Sequence, residues 1–460
     1  MGGLNTSLSI GLQALEANQG ALNATSNNIA NANTPGYTRE VPQFSENEEN
    51  LSGTEVTGGG VTLDSLQSVR DELLNLQIQQ QTSLQSSADT QSSSLQQIQS
   101  YFAASSGNDI SSELTAFSSA LAQLSATPTN SAAQQGVLSS GQNLANSFNS
   151  TASGLTSAQT DADGQVTQTV AQINSLTQQI ATLNGQVAQL AATGQDGGTT
   201  EDQRDELVQQ LSALTGVSIA QSSDGETITT GNGTPLVIGS QSFTLQTTTG
   251  SNGFKQVLDS NGNNITSTIQ GGQLGGAIEI RDQTIPGFLS TLNTLASQFA
   301  TSFNAAQAQG FDSNGNAGQN FFTVPANSGD AAAGISVALT SASQIAISSD
   351  GSAGSNGNIA NLSAALTAKL PSGDTPAGTY ANLVFQVGSA ESTASTQSTA
   401  IGQNLQQLQT QQGSISAVSV DEESTNLIRY QTAYEAAARI VNTIQQLNTV
   451  TLDLGSSESF

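Results

Sequence analysis

The chain contains no cysteine, no histidine and no tryptophan, and only one methionine. Without His or Cys there is no Ser-His or Cys-His nucleophile pair and no zinc site built on those ligands. Only carboxylates remain for acid–base chemistry, so the sequence reads as a non-enzyme with no catalytic residue, cofactor site or metal ligand. Cations are scarce too: 8 Lys and Arg against 35 Asp and Glu leave a formal charge of −27. Neutralising phosphates needs a basic footprint, which excludes nucleic acid as a partner. An anionic membrane surface is unattractive for the same reason, and no apolar run approaches the roughly 18–20 residues of a membrane span. Residues 1–29 hold no Lys or Arg, hence no basic n-region of a secretory signal. With 35% hydrophobic and 4% aromatic residues, the chain has material for thin cores only. Long helices and β-layers suit it better than one large globule.

What is present is periodic. Met1, Leu8, Leu15, Leu22 and Ile29 recur every seven residues, with Leu4 and Leu12 between them and Ala14, Ala17, Ala21 and Ala24 favouring helix. Such a repeat describes one narrow stripe, the mark of a helix packed along another. Thr34-Pro35-Gly36 must end it, because Pro restricts the residue before it and Pro-Gly suits a type II turn. At the other end Val420, Leu427, Tyr430, Tyr434, Ala437, Val441 and Ile444 form an a/d seam. It opens on Asp421-Glu422-Glu423, read as a solvated first turn favoured by the helix dipole. Two heptad helices thus bracket the chain, some 400 residues apart, open to pairing with each other or with neighbouring subunits.

Between them lie further helical stripes. One runs from Leu66, Val69, Leu73 and Leu76 to Leu95, Ile98 and Phe102. A second holds Ile110, Leu114, Phe117, Leu121 and Leu124 and stops before Pro128. A third runs from Val166 to Leu190, closed by Gly194 and Gly197-Gly198, and a short helix follows over Asp202–Leu214. From Val217 the period shortens to strands near 227–230, 235–238, 242–246, 255–258 and 264–269, with Asp259-Ser260-Asn261-Gly262 as a hairpin turn. Helix returns at about Gln283, a Gly/Asn/Ser-rich stretch covers 310–357, and a last inner helix starts near Ala390. Asp312-Ser313-Asn314-Gly315-Asn316 has the opening of a calcium loop, but positions 317 and 323 are Ala and Thr, so it reads as a turn.

Five stretches carry a family resemblance. Asn27-Asn28-Ile29-Ala30-Asn31-Ala32-Asn33-Thr34-Pro35-Gly36-Tyr37-Thr38-Arg39 resembles the signature of flagellar rod, hook and hook-associated proteins. Three inner motifs narrow the likeness to the hook-associated protein 1 family: Asp202-Gln203-Arg204-Asp205-Glu206-Leu207, Gly271-Gly272-Gln273-Leu274-Gly275-Gly276 with Arg281-Asp282, and Gln309-Gly310-Phe311-Asp312. The stretch from Val420 to Arg439 is similar to that family's C-terminal helix, whereas 320–390 matches poorly.

The resemblance implies an axial structural protein joining hook to filament. It would be exported unfolded by the flagellar type III apparatus without a cleaved signal peptide, then self-assemble through its terminal helices into a ring or helical layer. Implied partners are further copies of the chain, the hook protein, the second hook–filament junction protein, and an export chaperone on the C-terminal helix. The expected fold is multidomain α+β, with four parts. Residues 1–33 plus 418–460 form a coiled-coil-like terminal layer, and 34–62 a linker and turn region. Residues 63–216 plus 281–417 form a long-helix rod domain with a loop- and strand-rich insertion near 320–390. Residues 217–280 form a small outer antiparallel β domain.

The candidate assembly interface comprises Leu8, Leu15, Leu22, Ile29, Pro35, Gly36, Tyr37, Arg39, Val420, Leu427, Tyr430, Tyr434, Val441 and Ile444. Arg39, the first cation in the chain, calls for a carboxylate or helix C-terminus as partner. Polar interruptions weaken an isolated helix pair, which predicts that the terminal segments are mobile in the monomer and order on assembly. Other readings stay open: a second junction protein or flagellin-like subunit within the axial class, or a surface adhesin module built on the β region.

Overall fold

The computed structural model describes residues 2–48, 50–52, 55–102, 109–193, 195, 197–222 and 225–456. Met1 of the heptad stripe, Gly194 and the end of the Ser-rich tail lie outside them. By contacts the chain divides into two compact units, one of Met1–Ser83, Gln172–Leu245 and Gly402–Phe460, the other of Leu84–Ala171 and Gln246–Ile401. Three helices have residues in both: α2 (Glu72–Ser100), α4 (Ser131–Ala192) and α10 (Pro376–Ser416). The architecture is multidomain α+β, with long helices and small antiparallel sheets.

In the first unit, α1 (Gly2–Asn31) packs on α11 (Val420–Ser456) and on a two-stranded ribbon. The ribbon pairs β1 (Glu40–Glu46) with β4 (Val61–Ser68), antiparallel, from Glu40 opposite Ser68 to Glu46 opposite Val61. Between them β2 (Asn50–Ser52) and β3 (Glu55–Thr57) make a second short hairpin. The segment 34–62, expected as linker, is therefore largely strand. Its apolar positions are too few to show the alternation by which a strand is read, and the ribbon gains its stability from α1.

Downstream, α5 (Gly198–Leu214) leads into a four-stranded antiparallel meander, β5 (Val217–Ser222), β6 (Gly225–Thr230), β7 (Pro235–Ile238) and β8 (Gln241–Ser242). Ile173 and Ile180 of α4, Val208 and Leu211 of α5, and Ile228, Leu236 and Val237 of the sheet are its buried residues. Two asparagines of α4 reach strand backbone. Asn184 donates to the carbonyls of Glu226 and Gly239 and accepts from the Glu226 N–H. Asn174 donates to the Leu245 carbonyl and accepts from its N–H. Groups at turns and strand ends are satisfied by a helix side chain instead of a ladder.

The second unit is built on phenylalanine. Phe117 of α3 (Ile110–Ala126), Phe299 and Phe303 of α7 (Ile285–Gln307), and Phe321 and Phe322 stack at centroid distances of 4.8–6.1 Å. Phe148 of α4, α9 (Ile359–Thr367) and the N-terminal half of α10 complete the core. Two-residue strands β11 (Phe322–Thr323) and β12 (Ser336–Val337) and the short α8 (Ala331–Gly334) lie in the loop-rich region. Asp259 and Asp312 open identical Asp-Ser-Asn-Gly-Asn turns. In each, one carboxylate oxygen accepts from the backbone N–H groups two and four residues on, and the other from the terminal Asn side chain. Asp312 thus serves a turn in this structure.

Four expectations need correction here. Leu66 lies on β4 and α2 starts only at Glu72, so the helical stripe read from Leu66 and Val69, and the long-helix domain read from 63, begin later. Residues 217–280 are not one β domain: β9 (Gln246–Thr249) and β10 (Lys255–Leu258) form a separate ribbon in the second unit, 266–268 is a 3-10 turn, and Gly272–Glu279 is a helix, α6. The glycine-rich motif opens that helix: Gly271 and Gly272 have φ of +71° and +62°, and a Cβ on Gly276 would sit 2.7 Å from the Ser87 carbonyl oxygen. Helix therefore resumes before Gln283, and a π-helical turn over Ile280–Thr284 joins α6 to α7. Finally, α10 starts at Pro376, well before Ala390, where Pro suits the first turn.

Candidate assembly site at the chain termini

The terminal segments pair within one chain. Gly11 lies against Val441, and Asn28 against Glu423, so α1 and α11 run antiparallel. The buried seam is not the leucine stripe. Ala17, Ala21, Ala24 and Asn28 of α1 are buried with Ala437, Val441 and Ile444 of α11, while Leu8, Leu15, Leu22 and Ile29 are half-buried beside it. Small side chains let helix axes approach closely, which the larger leucines would prevent. On α11, Val441 and Ile444 are buried as expected, Leu427, Tyr430 and Tyr434 are half-buried, and Val420 is exposed. In the structure the two terminal segments are paired helices, and polar contacts supplement the thin seam.

Those contacts centre on Asn28, which is 1% exposed. Its amide donates to the Glu40 carbonyl at 2.9 Å and to Glu423 Oε2 at 3.1 Å. Its carbonyl oxygen accepts from the Tyr37 hydroxyl at 2.9 Å and from the Glu40 N–H at 3.0 Å. One side chain thereby joins α1, the turn, β1 and α11. Pro35 and Gly36 are exposed in that turn, closed by the Tyr37 N–H to the Thr34 carbonyl, with Gly36 at φ +78° as a type II turn requires. Arg39 meets Glu422 at 2.9 Å, and its N–H donates to the Ser416 carbonyl. The first turn of α11 is thus only partly a solvated one: Glu423 is 3% exposed and committed to Asn28.

A charged cluster supports the turn from below. The Thr38 N–H donates to Asp202 Oδ2 at 2.8 Å. Arg70 bridges Asp202, Glu201 and Asp205 at 2.8, 2.9 and 3.2 Å and donates to the Gly198 carbonyl. Arg204 pairs with Glu226 at 3.0 Å and Asp205 at 3.2 Å. The Asp202-Gln203-Arg204-Asp205 motif is therefore a connector between the turn, the end of β4 and strand β6. Arg70 was not singled out in the sequence, and Asn28 and Glu423 entered only as part of the signature motif and of a solvated first turn. The available signal for Arg70 was scarcity, since a cation in so acidic a chain is surrounded by candidate carboxylates, and Arg39, Arg70, Arg204 and Arg281 all pair with them.

Burial pushes the Asp202 carboxyl above the ordinary carboxylate range, against the pull of Thr38 and Arg70. Burial does the same to Glu226 against Arg204, and Glu226 Oε2 has no hydrogen-bond partner. Through that window the folded chain binds more protons than the unfolded one, so stability rises as the pH falls. We expect the β6 amides to gain exchange protection, corrected for intrinsic rate, as the pH is lowered from neutral toward the ordinary carboxylate range. Glu226→Gln should flatten the trend, whereas a trend of opposite sign would rule this account out.

A cavity of about 440 Å³ borders the turn, lined by Pro35, Tyr37, Asp202, Glu206, Gln209 and Gln412 among others. Among the described residues, no group of three or more acidic side chains is arranged to hold a metal ion, and no helix is long and apolar enough to cross a membrane.

Comparison with known proteins agrees with this geometry. The model of the flagellar hook-associated protein FlgK helical domain matches residues 95–322. That of the flagella basal body rod protein matches 8–38, and that of the flagellar basal body rod FlgEFG protein C-terminal region matches 411–454. Flagellar hook-associated protein 1 of Bacillus subtilis (strain 168) is 29% identical over 495 residues, covering 96% of this chain and 97% of the relative. That of Escherichia coli (strain K12) is 26% identical over 530 residues, covering 94% and 96%. The flagellar hook junction protein FlgK from Burkholderia pseudomallei superimposes with a TM-score of 0.66 at 18% identity, over 74% of this chain and 100% of that one, which shows a shared fold. Matched at both ends and through its helical middle, the chain belongs to the flagellar hook-associated protein 1 family, structural proteins of the flagellar axis.

Proposed function

We propose that this chain is the adapter between hook and filament, assembling as a ring or helical layer through residues 1–33 and 418–460. The observation that carries the reading is an apolar face left uncovered after α1 and α11 have packed. Ile428, Ile440, Leu447 and Val450 are 65%, 54%, 48% and 54% exposed, and Leu12 of α1 is 49% exposed. A soluble chain with so few hydrophobic residues places that many along one helix pair when another surface covers them. The half-buried Leu8, Leu15, Leu22 and Ile29 border the same pair. The hook protein and the second hook–filament junction protein are the neighbours above and below. The α11 face is also what an export chaperone holds before assembly, and the flagellar type III apparatus is the export route.

Immunogold electron microscopy with antibody against residues 217–280 tests the location. A narrow band between hook and filament is the expected result. Label along the whole filament would mean a flagellin-like subunit, and no label on appendages, with the antigen accessible, would favour a surface adhesin. The turn is tested separately. Pro35→Ala should lower assembly more than monomer stability, since Pro35 and Gly36 are exposed in the single chain. Equal losses would make the turn a purely internal element.

A further inference from the structure

Alanine seams are poor at choosing a register. The methyl groups of Ala17, Ala21 and Ala24 make a smooth buried face on α1, which in the alignment fixed by Gly11 against Val441 and Asn28 against Glu423 lies level with the stretch from Leu427 to Tyr434. Sliding α11 by a heptad exchanges one set of apolar contacts on that face for another, at about 0.8 kcal/mol per buried methylene gained or lost. What distinguishes one register from the next is the polar end. Asn28 is held by Tyr37 and both backbone groups of Glu40, so its carboxamide is already oriented and its remaining N–H points at α11. In the observed register that N–H meets Glu423 Oε2. A slip of three or four residues would bring Val420 or Leu427 opposite it, burying an amide without an acceptor and stripping Glu423 of its donor. A slip of seven would bring Tyr430.

We propose that the Asn28–Glu423 hydrogen bond selects the register of the α1–α11 pair. A single polar residue in an apolar helix seam acts in this way when every alternative alignment leaves it unpaired. Gly11 is the reporter of the alignment: a Cβ there would lie 2.9 Å from Val441 Cγ2 and 3.9 Å from Ile440 Cγ2. Leu12 and Ile440 therefore flank one crossing point, and the register decides which apolar side chains of the two helices form the outer surface together. Its importance for assembly rests on the function proposed above; the register itself does not.

The absence of native cysteine allows a direct test on the full chain. In one variant, Gly11→Cys is combined with Val441→Cys to report the observed register. In another, Gly11→Cys is combined with Asn448→Cys, one heptad on. With Asn28 and Glu423 intact, the first disulfide should form in large excess over the second under the same mild oxidation. Adding Asn28→Leu and Glu423→Leu should lower that ratio by at least about ten-fold, the factor for loss of one buried partner. Glu423→Gln, which keeps an acceptor, should leave it near the starting value. If the double leucine variant loses helix by circular dichroism, Glu423→Leu alone is read in the same way. An unchanged ratio in the leucine background, or a glutamine variant that behaves like leucine, overturns the proposal. Assembly of the in-register disulfide form, followed by light scattering, is a separate readout. Its failure beside a shifted ratio would count against the assembly layer and leave the register claim standing.

Discussion

Replacing Arg281 by methionine should lower the melting temperature of the unit that contains it by about 10 °C. Arg281 is 1% exposed, on the π-helical turn between α6 and α7. Its guanidinium donates to Asp163 and the Lys255 carbonyl, both at 2.7 Å, and forms a two-pronged contact with Asp282 at 2.8 Å. The Phe254 ring lies 5.8 Å from the guanidinium carbon. Burial alone would lower its pKa, but Asp282 and Asp163 more than offset that and hold it above the ordinary value. One side chain thus ties the β9–β10 ribbon to α4 and the π turn. Breaking a buried ion pair from one side costs about 3–5 kcal/mol, because the partner charges stay behind unpaired. At about 2–4 °C per kcal/mol for a body of this size, the shift is readily resolved by calorimetry. Lysine should rescue little, since a point charge cannot span three acceptors. Adding Asp163→Asn and Asp282→Asn to the methionine variant should recover part of the loss by removing the stranded charges. A shift below about 3 °C for methionine alone would show that the ribbon is held by other contacts.

How far such features could be read from the sequence depended on what signals them. Stripes of large apolar residues were legible: Ile110, Leu114, Phe117, Leu121 and Leu124 are buried on α3, which stops at Ala126 before Pro128. Strands 235–238 and 255–258 stand where β-branched and apolar residues alternate with turn signals. The start of α4 escaped notice although Val137, Leu144, Phe148 and Leu155 are buried on it. Gly136, Gly141 and Gly154 interrupt those residues and argue against helix on propensity alone. Packing overrides that cost at Gly141, where a Cβ would lie 2.5 Å from the Phe321 ring. The terminal pair was legible as two helices but not as a seam. The leucine repeat marks a stripe, whereas close approach selects the alanines beside it. Least legible were the polar nodes at Asn28, Arg70 and Glu423, because a hydrogen-bond network between residues 395 positions apart leaves no periodic trace. The signature motif pointed to the place, and the structure supplies its physical reason: Asn28 is the one residue of the motif that bonds to the turn, the ribbon and α11 together.

Placing aspartate at both Ile440 and Leu447 should raise the concentration needed for self-assembly by about 100-fold while leaving the single chain folded. Both side chains are about half exposed before assembly and, three or four residues from Ala437 and Ile444, they flank the seam without belonging to its buried set, so the monomer keeps that seam when they become polar. In an assembly that covers them, each gives up about half of the roughly 1.5–3 kcal/mol of a full apolar burial, and together that is about one to two decades in affinity. A carboxylate carried into the covered interface adds a desolvation cost, and in a chain of charge −27 it adds repulsion as well. Charge alone must be separated from position. Gln431→Asp combined with Asn442→Asp adds the same two charges at exposed sites of α11 away from this face, and should change assembly far less. Salt distinguishes the two causes further: screening restores what repulsion removed, but not lost apolar burial. If the Ile440/Leu447 variant assembled like the natural chain, the covered surface would have to lie elsewhere. Phe385 on α10, 73% exposed, would then be the next residue to change.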